Sequence, residues 1–253
     1  AQTELSITVN VRFTNTKNGQ PAEAKKVYDA ILGLKPEEKD AYFLRGSAEL
    51  ELGDYESAKA DFDQAISMDP KNYDRLIEIY EALADYGYRE VGQEYLQNVL
   101  DTAKQLDAYD SGRIYYYLGD YQKAYLALEE AKGKGGVDSY LYLGKAYAAT
   151  GDYNYASSVY SNYLSKQGPD AEIYNQLGLC ELAKKDYQKA LEAFQAGKQI
   201  EGNSLMQTLS FNEIVAYEYL QDYQKAAVLL NAYLQNYPDD QAAIREQQFL
   251  PTR

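Results

Sequence analysis

Residues 41–70 read AYFLRGSAELELGDYESAKADFDQAISMDP, and this stretch decides the fold. Apolar residues recur at three- and four-residue intervals on either side of Gly53-Asp54-Tyr55. The pattern predicts two short amphipathic helices, AYFLRGSAELEL and ESAKADFDQAISM, joined by a tight turn. Gly46, Ala58, Phe62, Ala65 and Pro70 punctuate the unit at spacings of 12, 4, 3 and 5 residues.

The unit recurs. Further copies begin near Tyr73, Gln105, Val137, Ala171 and Gln207, and by the same register the first begins at Lys39, so successive starts lie 34, 32, 32, 34 and 36 residues apart. The third copy carries Gly112, Tyr115, Gly119-Asp120-Tyr121, Ala124 and Leu128, and the fourth carries Tyr140, Gly144, Gly151-Asp152-Tyr153, Ala156 and Tyr160. The fifth has Tyr174, Gly178, Asp186-Tyr187, Ala190 and Phe194. The sixth has Tyr217, Asp222-Tyr223, Ala226, Leu230, Tyr233 and Pro238. The second copy departs from the rule, with Tyr80 where a small residue is usual and Gly92 in place of alanine.

These residues at these spacings resemble the tetratricopeptide repeat (TPR), a 34-residue helix–turn–helix unit. The resemblance covers about residues 18–240. It implies an all-α, right-handed TPR superhelix, an α-solenoid of about six repeats plus capping helices. The expected organisation is an N-terminal segment over 1–17, a partial repeat or cap over 18–38, six units over 39–240, and a capping helix and tail over 241–253. Terminal caps cover the open face that a stack of repeats would leave at its ends. The seam between the paired helices explains the small residues. Gly46, Gly112, Gly144 and Gly178 on first helices, with Ala58, Ala124, Ala156, Ala190 and Ala226 on second helices, let two backbones approach. Glycine inside a helix costs about 1 kcal/mol relative to alanine, so its recurrence implies a steric gain. The Asp of each Asp-Tyr pair is placed to cap the second helix.

Leu5, Ile7, Val9, Val11 and Phe13 alternate with polar residues, the period of a half-buried strand. Three readings stand open: a strand that pairs with another chain and supports self-association through Leu5–Phe13, part of an upstream domain, or a first helix disguised by β-branched residues. From Pro21 the helical period takes over, with Ala24, Tyr28 and Ile31.

Composition excludes several functions. The 253-residue chain has a net charge of −14, an acidic balance that repels phosphate backbones and anionic membranes, so nucleic acid is not an expected partner. No run approaches the roughly 20 apolar residues of a membrane span, and no basic-then-apolar start reads as a signal peptide. There is no histidine, which removes the commonest general acid/base and transition-metal ligand. Cys180 is the one cysteine; it reads as a small buried hydrophobe and fits a reducing cytosol or a lipid-tethered extracytoplasmic bacterial protein equally. Acidic runs lack the pattern of a calcium loop, and Gly133-Lys134-Gly135-Gly136 lacks the strand and the Gly-Lys-Ser/Thr ending of a phosphate loop. The expectation is no enzyme activity and no cofactor.

In the TPR family the first helices line a groove. Carried over position by position, the resemblance implies an acidic surface on the first two units, from Asp40, Asp74, Glu78, Glu81 and Asp85. It implies a mixed surface further on: Tyr109, Arg113, Tyr116, Tyr117, Tyr142 and Lys145 from the third and fourth units, then Asn175, Gln176 and Asn212. Arg113 and Lys145 occupy equivalent positions and are expected to sit together and hold a ligand carboxylate. Tyrosine supplies amphipathic contact area, and amides bond an extended backbone. The bland reading of the same residues is a solvated face with ordinary pairs within helices. A chaperone-tail clamp is not expected, because its basic and amide positions fall on Phe43, Ser47, Glu78, Leu106 and Asp110. The expected function is a scaffold holding an extended peptide or partner helix; the alternative is a solute- or glycan-associated module with a tyrosine-rich groove.

Overall fold

The structure, a computed structural model, describes residues 20–131 and 133–250. Among them are fourteen α-helices and no strand. The strand-like segment Leu5–Phe13 lies outside the described residues. The chain forms two compact units, divided between Leu106 and Asp107.

The first unit holds α1 (Pro21–Leu34), α2 (Lys39–Glu51), α3 (Tyr55–Met68), α4 (Tyr73–Asp85) and α5 (Arg89–Thr102). The second holds α6 (Ala108–Leu118), α7 (Tyr121–Glu130), α8 (Val137–Ala149), α9 (Tyr153–Gln167), α10 (Ala171–Ala183), α11 (Tyr187–Lys198), α12 (Met206–Tyr219), α13 (Tyr223–Asn236) and α14 (Gln241–Phe249). Each pair α2–α3, α4–α5, α6–α7, α8–α9, α10–α11 and α12–α13 packs as a hairpin. In each unit the pairs stack so that successive first helices touch: α2 on α4, α6 on α8, and α8 on α10.

One turn is built six times. The first helix ends with a residue at positive φ: Gly53, Gly87, Gly119 and Gly151 in four copies, Lys185 and Gln221 in the other two. The next backbone N–H then reaches back to the last turn, as in Asp54 to the Glu49 carbonyl at 2.8 Å and Asp186 to the Glu181 carbonyl at 2.9 Å. This bond satisfies a carbonyl that the helix end leaves free. The same aspartate caps the following helix: Asp54 accepts from the Ser57 N–H, and Asp120, Asp186 and Asp222 do likewise. Asp152 instead accepts from Thr150 Oγ1 at 3.1 Å, and the second repeat carries Tyr88 there, which makes no side-chain cap.

The seam glycines do more than let backbones approach. A Cβ on Gly46 would lie 2.7 Å from the Phe62 ring, on Gly144 2.2 Å from Tyr160, and on Gly178 2.3 Å from Phe194. Each glycine is a socket for a ring on the second helix. Phe62, Tyr160 and Phe194 are fully buried there. In the second repeat the parts are exchanged, and Tyr80 on α4 lies against Gly92 on α5. The last hairpin is closed by α14, whose Ala243 joins Leu250 against Ile214, Ala226, Leu230 and Tyr233.

Candidate interaction surface

In the second unit the first helices α6, α8 and α10 lie side by side, and Asn212 on α12 extends the row by donating to Asn175 Oδ1 on α10 at 2.8 Å. Asn175 is buried, so this bond satisfies an amide that water cannot reach. Beside it, Glu172 accepts from Gln176 Nε2 at 2.9 Å and lies 3.5 Å from the Lys145 ammonium on α8. The row ends in an aromatic cluster. The Tyr117 and Tyr142 hydroxyls are 3.1 Å apart, and Tyr116 meets Tyr117, Tyr142 and Tyr121 at centroid distances of 5.4, 5.5 and 5.7 Å. Rings at these distances and steep angles present edge to face, the geometry that their quadrupoles favour. Tyr116, Tyr117 and Tyr142 are half-buried.

Arg113 and Tyr109 behave otherwise. Arg113 is only 7% exposed. Its guanidinium pairs with Asp110, one turn back on α6, and lies over the Tyr109 ring 4.4 Å from its centroid. The same ring is met by Gly135, where a Cβ would approach within 2.6 Å. The glycine-rich turn after α7 thus packs onto the start of α6, and Lys134 fastens it with an ion pair to Asp107 at 2.9 Å. Arg113, expected to hold a ligand carboxylate jointly with Lys145, is paired with Asp110, and Lys145 lies 3.5 Å from Glu172. Asp110 and Glu172 were not among the expected residues, although their spacing of three from Arg113 and four from Gln176 places each beside its partner.

The first unit presents a different surface. Arg75 on α4 pairs with Asp40 on α2 and with Glu78, both at 2.9 Å, and its guanidinium lies 4.0 Å from the Phe43 ring centroid. Burial, reinforced by Asp74, Asp40 and Glu81, raises the Glu78 carboxyl above its ordinary range despite Arg75. Cys180 is buried, as expected, and burial pushes its thiol up to about 12, which keeps it protonated and unreactive at neutral pH. Among the described residues no group of His, Cys, Asp and Glu is arranged to hold a metal ion, and no helix is long and apolar enough to cross a membrane.

Family models described as tetratricopeptide repeat match residues 17–73, 141–204 and 211–240. The chain is a tetratricopeptide-repeat protein. Solved structures agree on the fold. A tetratricopeptide repeat protein from Parabacteroides merdae superposes with a TM-score of 0.65 at 14% identity, covering 98% of both chains. Yeast Tom70 gives 0.61 at 16% identity over 85% of this chain and 48% of its own. PilW, a type IV pilus biogenesis factor, gives 0.54 at 15% identity over 97% of both. Among curated proteins, none matches the sequence significantly. The tetratricopeptide-repeat fold is that of protein–protein interaction scaffolds, which are generally non-enzymatic, and it implies protein partners.

Proposed function

We propose that this protein is a non-catalytic scaffold that holds an extended peptide or a partner's helix across the first helices of its second unit. The carrying observation is the continuous row from the half-buried rings of Tyr116, Tyr117 and Tyr142, past Lys145 and Gln176, to Asn212. Half-buried rings and hydroxyl or amide edges suit a ligand that is apolar on one side and hydrogen-bonding on the other. Within the row, Lys145 is held at 3.5 Å by a partly exposed Glu172, a loose pairing that a ligand carboxylate can displace. Arg113 and Tyr109 support the floor from beneath and do not contact the ligand. A peptide array followed by titration of the best binder tests the reading. Tyr142→Ala and Lys145→Ala are expected to weaken binding about tenfold together, with little change in melting. Unaltered affinity in the double variant, or capture of glycans and no peptides on parallel arrays, would overturn it.

A further inference from the structure

The junction between α1 and the α2–α3 hairpin is held by charge where the equivalent positions of the fourth repeat are apolar. Arg45 on α2 grips Asp61 on α3 with two bonds, at 2.6 and 2.7 Å, and reaches Asp29 on α1 at 2.9 Å. Lys25 on α1 binds Asp29 at 3.0 Å and stands 3.5 Å from Glu49 on α2. Asp54, in the turn after α2, also feels the Lys25 charge. Equivalent positions of the fourth repeat carry Leu143, Tyr147 and Val159 in place of Arg45, Glu49 and Asp61. The cluster thus holds two cations against three carboxylates, before counting the exposed Asp54.

Glu49 is the weak member. It is 3% exposed, and its Oε2 has no hydrogen-bond partner. Its cation is the half-buried Lys25, 3.5 Å from the other carboxylate oxygen, while Arg45 is engaged by Asp61 and Asp29. An ionised carboxylate so placed is costly, and the remedies are to bind a proton or to regain water. Regaining water requires α1 to lift away. Among the described residues, α1 is also packed through Ala24, Tyr28 and Ile31 against Ala48 and Leu44, and its Leu32 is buried.

We propose that docking of α1 on the α2–α3 hairpin is proton-linked through Glu49: the helix is held while Glu49 carries a proton and loosens as Glu49 ionises. Burial, then the neighbouring Asp61 charge, raises the Glu49 carboxyl from its ordinary 4.5 to about 7, with Lys25 and Arg45 pulling the other way. A carboxyl raised in the docked state binds more protons there than when released. Its contribution to docking is complete below 4.5 and is lost as pH rises through 7. Alkalinisation therefore releases α1, and mild acid secures it. Lys25 and Asp29, although they titrate far from neutrality, fix which face of α1 meets Glu49.

Hydrogen exchange on the full chain tests this, with amides of residues 21–34 followed from pH 6 to pH 8 after correction for intrinsic rates. Protection of α1 is expected to fall on the order of tenfold across that range, with α8 and α10 as the internal reference. Glu49→Gln keeps the shape and removes the titration, so its α1 protection is expected to stay flat. Carbon-detected titration of the Glu49 carboxyl in the unaltered protein gives a second readout that needs no variant, with a midpoint expected near 7. Protection that does not change with pH, a Glu49→Gln variant that keeps the same slope, or a midpoint in the ordinary glutamate range would each overturn the proposal.

Discussion

In the fourth repeat the ring of Tyr160, on the second helix, fills a socket made by Gly144 on the first. In the second repeat the ring of Tyr80, on the first helix, fills a socket made by Gly92 on the second. The two hairpins place one ring and one glycine at the seam from opposite sides. Close packing explains why either arrangement serves: the seam has a volume to fill, and interiors tolerate neither a void nor an excess of one methylene. The third repeat keeps the glycine but sets Leu128 against Gly112, and the sixth dispenses with the glycine, placing Ile214 near Leu230 and Ala226.

The comparison breaks most sharply at the exchanged ring. Tyr80→Ala removes a side chain that is 4% exposed and packs against Gly92 of the second helix. Loss of about 3–4 kcal/mol of stability is expected from the cavity, read by denaturant unfolding of the whole chain with the two units resolved by probe position. A loss below about 1 kcal/mol would mean that α4 and α5 close on the void, and that the exchange of ring and glycine carries no weight.

The converse change overfills the socket. Gly144→Ala places a methyl 2.2 Å from the Tyr160 ring, whose surroundings are closed on every side. A net loss of about 2 kcal/mol is expected, after the gain in helix propensity of about 1 kcal/mol from alanine. Adding Tyr160→Leu, the ring-free side chain found at the equivalent Leu128, should return part of that loss. If the double variant is no more stable than Gly144→Ala alone, the clash is not with the ring.

Much of this architecture is legible in residue order because it is local. The turn, the cap and the socket each involve residues a few positions apart or one hairpin apart, and they recur, so Gly46, Asp54 and Phe62 announce one another. The charged junction of Lys25, Asp29, Arg45, Glu49 and Asp61 is a different matter. It joins three helices, occurs once, and looks in the sequence like ordinary surface charge. The candidate surface lies between these cases. Position in the repeat places Tyr117, Tyr142, Gln176 and Asn212 along the first helices, but it cannot say that Arg113 turns back onto Asp110, because that depends on the Tyr109 ring and the Gly135 turn above it. For the same reason Arg113→Ala is not the neutral change that its place on the groove suggests. About 2 kcal/mol is expected to be lost when the cation beside Asp110 and its contact with Tyr109 go together, measured as a lowered denaturation midpoint.

The smallest effect asks whether the turns, like the sockets, tolerate unequal parts. The fourth repeat ends its first helix with Gly151 at φ +85°, whereas the fifth and sixth use Lys185 at +64° and Gln221 at +63°. A side chain crowds its own backbone in that region, and glycine does not. Both turns nevertheless make the bond that closes the helix end, from the Asp186 N–H to the Glu181 carbonyl and from the Asp222 N–H to the Tyr217 carbonyl. The strain is thus borne by a turn already fixed by its hydrogen bonds. Lys185→Gly and Gln221→Gly should each raise stability by about 0.5–1 kcal/mol, the relief exceeding the extra freedom that glycine gives the unfolded chain. The changes are far apart in sequence and lie in different hairpins, so they should add in the double variant. A loss in either would show that the long side chain, and not the backbone, holds its turn, and would set these two hairpins apart from the four that close on glycine.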